Sequence, residues 1–202
     1  MKNATKHAEN LKSLHKKLLK EGKPEPMHAV DPLRAMVMGV LSSDVSDARV
    51  ADAMKVIDRE FVDLNELRVA TELEVIDLIG AKYPDIEHRA LVFREMLNAI
   101  FEKEHTLSLE RIKTLNRKEM RAFLHELPEM TAYVEAYTAL FGLGQTGVPV
   151  DQMTLEVLVE ADAVEAGTSI EEAQKFVEAQ VKGDDCYDFY AVARRAALKR
   201  GK

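Results

Sequence analysis

The sequence predicts an all-α protein of roughly ten short helices, and three observations support that fold class. Only 9 of the 202 residues are glycine and 6 are proline, a composition that favours helices. Apolar residues recur at helical spacing, most clearly over 86–102, and no segment shows the alternation of a half-buried strand. Capping-box patterns, in which Ser, Thr, Asn or Asp precedes a glutamate by three residues, mark helix starts at Asp63, Thr71, Asn116 and Ser169.

The predicted helices follow one another along the chain. Segment 5–21 is amphipathic and lysine-rich, and Gly22 and Pro24 stop it, so residues 1–26 are predicted as a basic helical arm. Residues 27–202 are predicted as the main domain. Its helices are expected after Asp31-Pro32, over 46–59, after Asp63, after Thr71, over 86–102, from Asn116 to about Glu126, after Pro128, and over 152–161, 170–180 and 187–199.

Charge is distributed unevenly along the chain. The net charge is −7, but residues 1–24 and 189–202 each carry +5, which leaves −17 on the body between them. Such ends can steer toward polyanions, and solvated tails explain the pattern equally well. No apolar run approaches the ~20 residues that cross a bilayer, and no signal-peptide pattern is present, so an intracellular, cytoplasmic protein is expected.

Residues 127–151 are the segment on which the functional interpretation depends. Leu127-Pro128 opens it, a helix-like stretch follows, and a loop with three glycines leads to Val148-Pro149-Val150. Asp151 then precedes another apolar, helix-like segment. Unpaired N–H groups and the dipole at a helix start favour an ionised acid. The local sequence leaves open whether Asp151 is only an N-cap or a functional carboxylate.

Several kinds of chemistry are excluded by the residues present. The histidines lack metal-ligand spacing, and no phosphate-binding or dinucleotide-binding glycine motif occurs. Cys186, the only cysteine, lies among Asp184, Asp185 and Asp188, which oppose thiolate formation. What remains is Asp151 and a basic cluster upstream of Leu127. That cluster would place positive charge near the turn, although a solvated helix face explains it as well. Its members are Arg111, Lys113, Arg117, Lys118 and Arg121.

The order of elements from Pro32 to Arg195 resembles the endonuclease III-like branch of the helix-hairpin-helix DNA glycosylases. Leu41-Ser42-Ser43-Asp44 resembles the Leu-Ser-x-Gln turn of that family, and Leu127-Pro128 resembles the start of its hairpin, Leu-Pro-Gly-Val-Gly-x-Lys-Thr-Ala. Val150-Asp151 falls where the family has its catalytic aspartate. The resemblance implies two helical lobes around a helix-hairpin-helix, and a function in DNA repair on damaged or mismatched duplex DNA.

The chain departs from the family pattern at the positions that carry chemistry. Glu129 and Thr131 stand where the hairpin glycines belong, which should weaken contact with a DNA phosphate. Tyr133 replaces the lysine that forms a Schiff base, so lyase chemistry through this position is not available. Asp44 replaces the glutamine that enters the base stack, and Met153 replaces a histidine. The iron–sulfur cluster of the family needs four cysteines, so we expect no cofactor.

Two hypotheses follow from the resemblance. In the first, the chain is a monofunctional DNA N-glycosylase with Asp151 as the catalytic carboxylate and a pocket formed by Tyr133, Asp44 and Met153. In the second, it is a catalytically degenerate module that binds DNA or a protein partner, with Asp151 as a helix cap. The residues expected at DNA are Leu127, Pro128, Glu129, Met130 and Thr131 of the hairpin, Lys113, Lys118 and Arg121 beside it, and the two basic ends.

Overall fold

The computed structural model describes residues 3–200, and this part of the chain contains eleven α-helices and no strand. The predicted all-α class is confirmed. The helices are α1 (Ala4–Glu21), α2 (Pro32–Ser42), α3 (Asp47–Glu60), α4 (Leu64–Val69), α5 (Glu72–Ile79), α6 (Ile86–Glu104), α7 (Arg117–His125), α8 (Ala132–Phe141), α9 (Gln152–Glu160), α10 (Ile170–Gln180) and α11 (Cys186–Arg200). Short 3-10 turns lie at Glu110–Thr114 and Gly183–Asp185.

Side chains at the helix starts fix the boundaries where the sequence predicted them. Both halves of the capping box form at Thr71, Asn116 and Ser169. At α4 the pattern forms only in part. Asp63 accepts from the N–H groups of the first turn, while Glu66 accepts from the N–H of Val62, one residue before the cap. Each cap satisfies N–H groups that lack a partner within the helix.

One continuous hydrophobic core joins two groups of helices. Helices α3 to α6 pack together on one side, and α1, α9, α10 and α11 pack together on the other. Helix α2 is buried along most of its length and lies against α8, which makes this pair the centre of the molecule. Gly142 at the end of α8 allows the close approach, since a Cβ there would lie 2.6 Å from the Cα of Pro32.

The first helix packs on the body, a point that the sequence left open. Leu11, Leu14 and Leu18 are buried in the core. Arg195 of α11 donates to the carbonyl oxygen of Leu18, 3.3 Å away. The ring Nδ1 of His7 lies 2.7 Å from the carbonyl oxygen of Asp162. Helix α1 is therefore held by apolar contacts along its length and by polar contacts near both of its ends.

Within residues 3–200, no helix combines the length with the apolar character that crossing a bilayer requires.

Candidate functional site

Asp151 is the N-cap of α9, and its side chain is only 1% exposed. Its Oδ1 accepts a hydrogen bond from the N–H of Thr154 at 2.9 Å. Its Oδ2 accepts from the N–H of Asp44 at 3.0 Å, and Nη1 of Arg194 lies 3.6 Å from the same oxygen. Both carboxylate oxygens are thus engaged by backbone donors and faced by a guanidinium.

Asp44 lies in the turn after α2, and its own carboxylate forms a second hydrogen bond between this turn and α9. Its Oδ1 accepts from the N–H of Met153 at 2.9 Å, in the first turn of α9. Asp44 has a φ of 56°, the left-handed region that aims its N–H and its carboxylate at the same neighbour. Burial raises the pKa of Asp44 above its usual value, although the N–H of Met153 opposes that shift. Two hydrogen bonds thus join the turn after α2 to the start of α9: the N–H of Asp44 donates to Asp151, and the N–H of Met153 donates to Asp44. We call this pair of hydrogen bonds the reciprocal cap.

Arg194 of α11 fills the space behind the reciprocal cap. Its Nε donates to Oδ1 of Asp47 at 2.7 Å, and its Nη2 donates to the carbonyl oxygen of Val45 at 2.7 Å. Its Nη1 lies 3.2 Å from the carbonyl oxygen of Ser42 and 3.1 Å from the hydroxyl of Tyr133. The residue is 5% exposed. This central residue was missed by the sequence reasoning, which counted Arg194 only as part of a basic end.

Tyr133 is packed beside Arg194 and does not line an open pocket. It is 4% exposed, its ring is stacked on that of Tyr137, and its hydroxyl lies 3.2 Å from Oγ of Ser42 and 3.4 Å from the hydroxyl of Tyr190. Burial raises the pKa of Tyr133, so the phenol is neutral. The four predicted site residues therefore lie in one region: Asp151 and Tyr133 are buried and both lie next to Arg194, whereas Met153 is half-buried and Asp44 is exposed at the edge of the cluster.

A cleft of about 380 Å³ opens next to this cluster. Ser42, Asp47, Tyr190 and Arg194 belong to its lining. Asp151 is not among its lining residues. Arg194 and Tyr190 therefore border this cleft, whereas Asp151 and Tyr133 do not.

The predicted hairpin is the turn between α7 and α8. Leu127 is buried, and Pro128 and Met130 are half-buried. Glu129 is exposed with a φ of 57°, the left-handed conformation that a glycine adopts without cost. Thr131 is the N-cap of α8 and accepts from the N–H of Val134 at 3.2 Å. The turn has the shape of a glycine-containing hairpin, with an anionic side chain at its exposed corner.

Carboxylates neutralise most of the basic cluster near the hairpin. Lys113 pairs with Glu110 at 2.7 Å, and Arg121 pairs with Glu178 at 2.7 Å. Lys118 is exposed and forms no ion pair within residues 3–200. The other two members are also paired, Arg111 with Glu104 and Arg117 with Glu178. Glu178 is shared by Arg117 and Arg121, and Arg121 also lies 3.5 Å from Glu135. Four carboxylates therefore face four of the five cations, and Lys118 is the member without an ion pair within residues 3–200.

Two polar residues of α10, which the sequence reasoning did not single out, tie the hairpin to the segment before Asp151. Gln174 is 6% exposed; its Oε1 accepts from the N–H of Val150 at 3.2 Å and its Nε2 donates to the carbonyl oxygen of Ala132 at 2.9 Å. Glu178 accepts from the N–H of Val148 at 3.2 Å. The only sequence feature that could have indicated them is a polar residue on the buried face of an amphipathic helix.

The two basic ends differ in the structure. At the C-terminal end, Arg194 and Arg195 hold internal carbonyl groups, and the exposed Lys199 and Arg200 pair with Glu21 and Glu160. At the N-terminal end, five exposed lysines form no ion pair within residues 3–200. They are Lys12, Lys16, Lys17, Lys20 and Lys23. Lys2 and Lys202, which the sequence count includes, lie outside the described residues.

No cofactor site is evident in the part of the chain that the structure describes. Three or more His, Cys, Asp or Glu side chains do not converge there as metal ligands would. Cys186 is buried, and burial is the main cause that raises the pKa of its thiol; of the three neighbouring acids singled out in the sequence, only Asp185 adds to that shift. The absence of a cofactor stays a prediction.

Comparisons with known proteins identify the architecture. The sequence matches no family model and no curated protein. The structure is similar to that of a trapped endonuclease III–DNA covalent intermediate, with a TM-score of 0.71, 14% identity, and coverage of 96% of this chain and 85% of that one. It is also similar to the Clostridium acetobutylicum 8-oxoguanine glycosylase/lyase in complex with dsDNA, with a TM-score of 0.75, 16% identity, and coverage of 98% and 71%.

A third similar structure is the H. pylori 3-methyladenine DNA glycosylase bound to 1,N6-ethenoadenine, with a TM-score of 0.70, 14% identity, and coverage of 96% of this chain and 98% of that one. These neighbours differ in the bases that their names record, and their identity to this chain is low. What they share with it is the arrangement of helices over nearly its whole length. The chain therefore has the fold of the endonuclease III-like helix-hairpin-helix DNA glycosylases.

Proposed function

We propose that this chain is a DNA-binding protein of the glycosylase fold that does not remove bases, and in which Asp151 has a structural role. The observation that carries the proposal is the state of the Asp151 carboxylate, which is 1% exposed, accepts two backbone hydrogen bonds and lies 3.6 Å from Arg194.

Base removal makes demands that this carboxylate does not meet. A glycosylase aspartate must stabilise positive charge on a sugar or activate a water molecule, and both roles need a lone pair directed at the substrate. Each oxygen accepts one backbone N–H and keeps a second lone pair, but the side chain is only 1% exposed, so a sugar or a water molecule has little access to it. The guanidinium of Arg194, 3.6 Å from Oδ2, also cancels much of the negative field. A flipped nucleotide would also have to displace Tyr133, which is buried and hydrogen-bonded.

DNA binding is supported by the free positive charge on α1. Lys12, Lys16 and Lys20 recur every four residues and thus share one exposed face of a helix that is fixed to the body. Unpaired lysines on a rigid helix can replace the counterions of a phosphate backbone. The DNA complexes among the structural neighbours make duplex DNA the polyanion to test.

A monofunctional glycosylase is the second candidate, and one observation favours it. Asp151 lies at the start of α9 with Asp44, Tyr133 and Met153 around it, which are the positions that the family resemblance assigns to the catalytic site. This function requires the reciprocal cap to open when DNA binds. The two candidates differ in whether wild-type protein releases any base.

Substitution of lysines on α1 is expected to reduce the salt dependence of DNA binding. For the triple variant Lys12→Gln, Lys16→Gln, Lys20→Gln, the slope of log K against log salt should fall by about 2–3, because each lost phosphate contact removes roughly 0.9. Binding to a fluorescent duplex would be measured by anisotropy at several salt concentrations.

A matched variant carries three substitutions away from α1 and the hairpin, Lys82→Gln, Lys175→Gln and Lys182→Gln, all at exposed positions. It has the same net charge as the α1 variant, so an equal loss of slope in both would show only a general charge effect. A wild-type slope of zero would exclude DNA as the partner.

Single-turnover assays on duplexes with uracil, mismatched thymine, alkylated purines and oxidised bases are expected to show no base release by the wild-type protein. The physical reason is that the carboxylate of Asp151 is buried and accepts two backbone hydrogen bonds. Release by the wild type that disappears in Asp151→Asn, with DNA binding retained, would replace this proposal by the glycosylase function. Circular dichroism at the assay temperature would verify that both proteins are folded.

A further inference from the structure

A groove with an apolar floor lies where α3, α4 and α5 meet, and its volume is about 540 Å³. Phe61, Val69, Ala70 and Leu78 supply the apolar lining. This groove is formed by a different set of helices from those that carry Asp151 and the hairpin. It is also remote in sequence from the lysine face of α1.

The chain segment that forms this groove carries unusually exposed apolar side chains. Val62, Val69 and Leu73 are 90%, 66% and 67% exposed. They are the most exposed large apolar side chains in the part of the chain that the structure describes, and all three fall within one stretch of twelve residues. Val69 also lines the groove, and Val62 and Leu73 are next in sequence to Phe61 and Glu74, which line it too. Single exposed apolar residues are ordinary, whereas three in one short segment that forms a groove favour an interaction surface.

The rim of the groove is acidic. Glu60, Glu66, Glu74 and Asp77 belong to its lining, and no basic residue does. Glu60 pairs with Arg59 at 2.6 Å, so the negative charge of the rim comes mainly from the other three. Glu66 and Glu74 each use Oε2 as a helix cap, toward the N–H groups of Val62 and Thr71. Asp77 is exposed and forms no ion pair within residues 3–200. This rim repels nucleic acid and attracts lysine or arginine side chains.

We propose that this acidic groove binds a basic amphipathic helix of a protein partner. Apolar residues of such a helix at i, i+3 or i+4, and i+7 would enter the groove over Phe61, Val69 and Leu78, and its lysines or arginines would meet the carboxylates of the rim. The eight residues of α5 extend for ~12 Å, which matches about two turns of a docked helix.

A second copy of this chain is a poorer occupant. Its own basic amphipathic helix is α1, whose lysines are exposed but whose Leu11, Leu14 and Leu18 are buried against the body. Through α1, a second copy could therefore offer positive charge to the rim but no apolar face to the groove. Its exposed Val62, Val69 and Leu73 lie in the segment that carries the acidic rim, so they would bring like charge to it. The occupant has to supply both, which a separate basic amphipathic segment does.

The test is titration of the full-length protein with two fluorescent helical peptides of the same leucine pattern, one with lysine and one with glutamate on the polar face. The lysine peptide should bind, and the glutamate peptide should bind at least tenfold more weakly. Val69→Ser and Leu73→Ser should each weaken lysine-peptide binding about five- to tenfold, as expected for the loss of one apolar contact of roughly 1–1.4 kcal/mol. Asp77→Asn should weaken it by a smaller factor and reduce its dependence on salt.

Two matched controls replace exposed residues elsewhere, Met27→Ser for the apolar changes and Asp184→Asn for the charge change. Equal binding of both peptides, or equal effects of the control and groove variants, would overturn the proposal. Sedimentation of the protein alone as a dimer that Val69→Ser dissociates would also overturn it, because the groove would then be occupied by a second copy. None of these measurements involves DNA, so their outcome is independent of the function proposed for the rest of the molecule.

Discussion

Replacing Asp151 by alanine is expected to lower the free energy of unfolding by about 3–5 kcal/mol, the range found when one partner of a buried ion pair is removed. The change leaves the buried N–H of Thr154 and the part-buried N–H of Asp44 without their acceptor, and it leaves the buried Arg194 with the exposed Asp47 as its remaining ion-pair partner. Urea denaturation of both proteins at neutral pH, monitored by circular dichroism, measures the difference.

The direction of the effect separates a structural from a catalytic carboxylate. Catalytic groups are commonly retained at a cost to stability, so that replacing them is neutral or stabilising. A structural Asp151 behaves in the opposite way, and even the nearly isosteric Asp151→Asn should destabilise, by about 1–3 kcal/mol, since one buried acceptor becomes a donor. An Asn variant as stable as the wild type would contradict the structural role.

Asp63 provides the matched control for this measurement. It caps α4 by accepting from the N–H groups of Asn65 and Glu66, but it is exposed and has no ion-pair partner within residues 3–200. Asp63→Ala should therefore cost only about 1 kcal/mol, the usual value for loss of an N-cap. The difference between the losses of unfolding free energy in Asp151→Ala and Asp63→Ala measures what burial and Arg194 add to the effect of capping.

The helices were predictable from the sequence because the interactions that define them are local. The capping boxes at Thr71, Asn116 and Ser169 join residues three apart, and the apolar stripe over 86–102 needs only the period of the helix. The position of Asp151 at a helix start was predictable for the same reason. Boundaries of this kind depend on what lies within one turn of the chain.

The state of the site was not predictable, because its decisive contacts are long-range. The N–H that covers Oδ2 of Asp151 belongs to Asp44, which is 107 residues away in the sequence. Arg194 belongs to the last helix, where it reads as one of five basic residues in a tail. The same limit applies to Arg121, whose partner Glu178 lies 57 residues further along. Charge counted along a sequence says little about which charges are free.

The second large effect is expected for replacement of Arg194, the cationic partner of Asp151. Arg194→Met should lower the free energy of unfolding by about 3–5 kcal/mol, because it leaves Asp151 buried without its cation and removes the donors to Ser42 and Val45. Methionine keeps most of the volume of the side chain, so the loss would come from charge and hydrogen bonds more than from a cavity. The measurement is again urea denaturation.

The double variant Arg194→Met, Asp151→Asn tests whether the two residues act on each other. If they form a pair, the sum of the two single losses in unfolding free energy should exceed the loss in the double variant by about 1–3 kcal/mol, the coupling expected between residues in contact. Arg195→Met is the control, since Arg195 donates to the carbonyl oxygens of Leu18 in α1 and of Gly22 just after it, and it shares no partner with Asp151. Its effect should add to that of Asp151→Asn within about 0.5 kcal/mol. Additive behaviour of Arg194 and Asp151 would mean that the guanidinium does not neutralise the carboxylate, and Asp151 would then keep the negative charge that base removal requires.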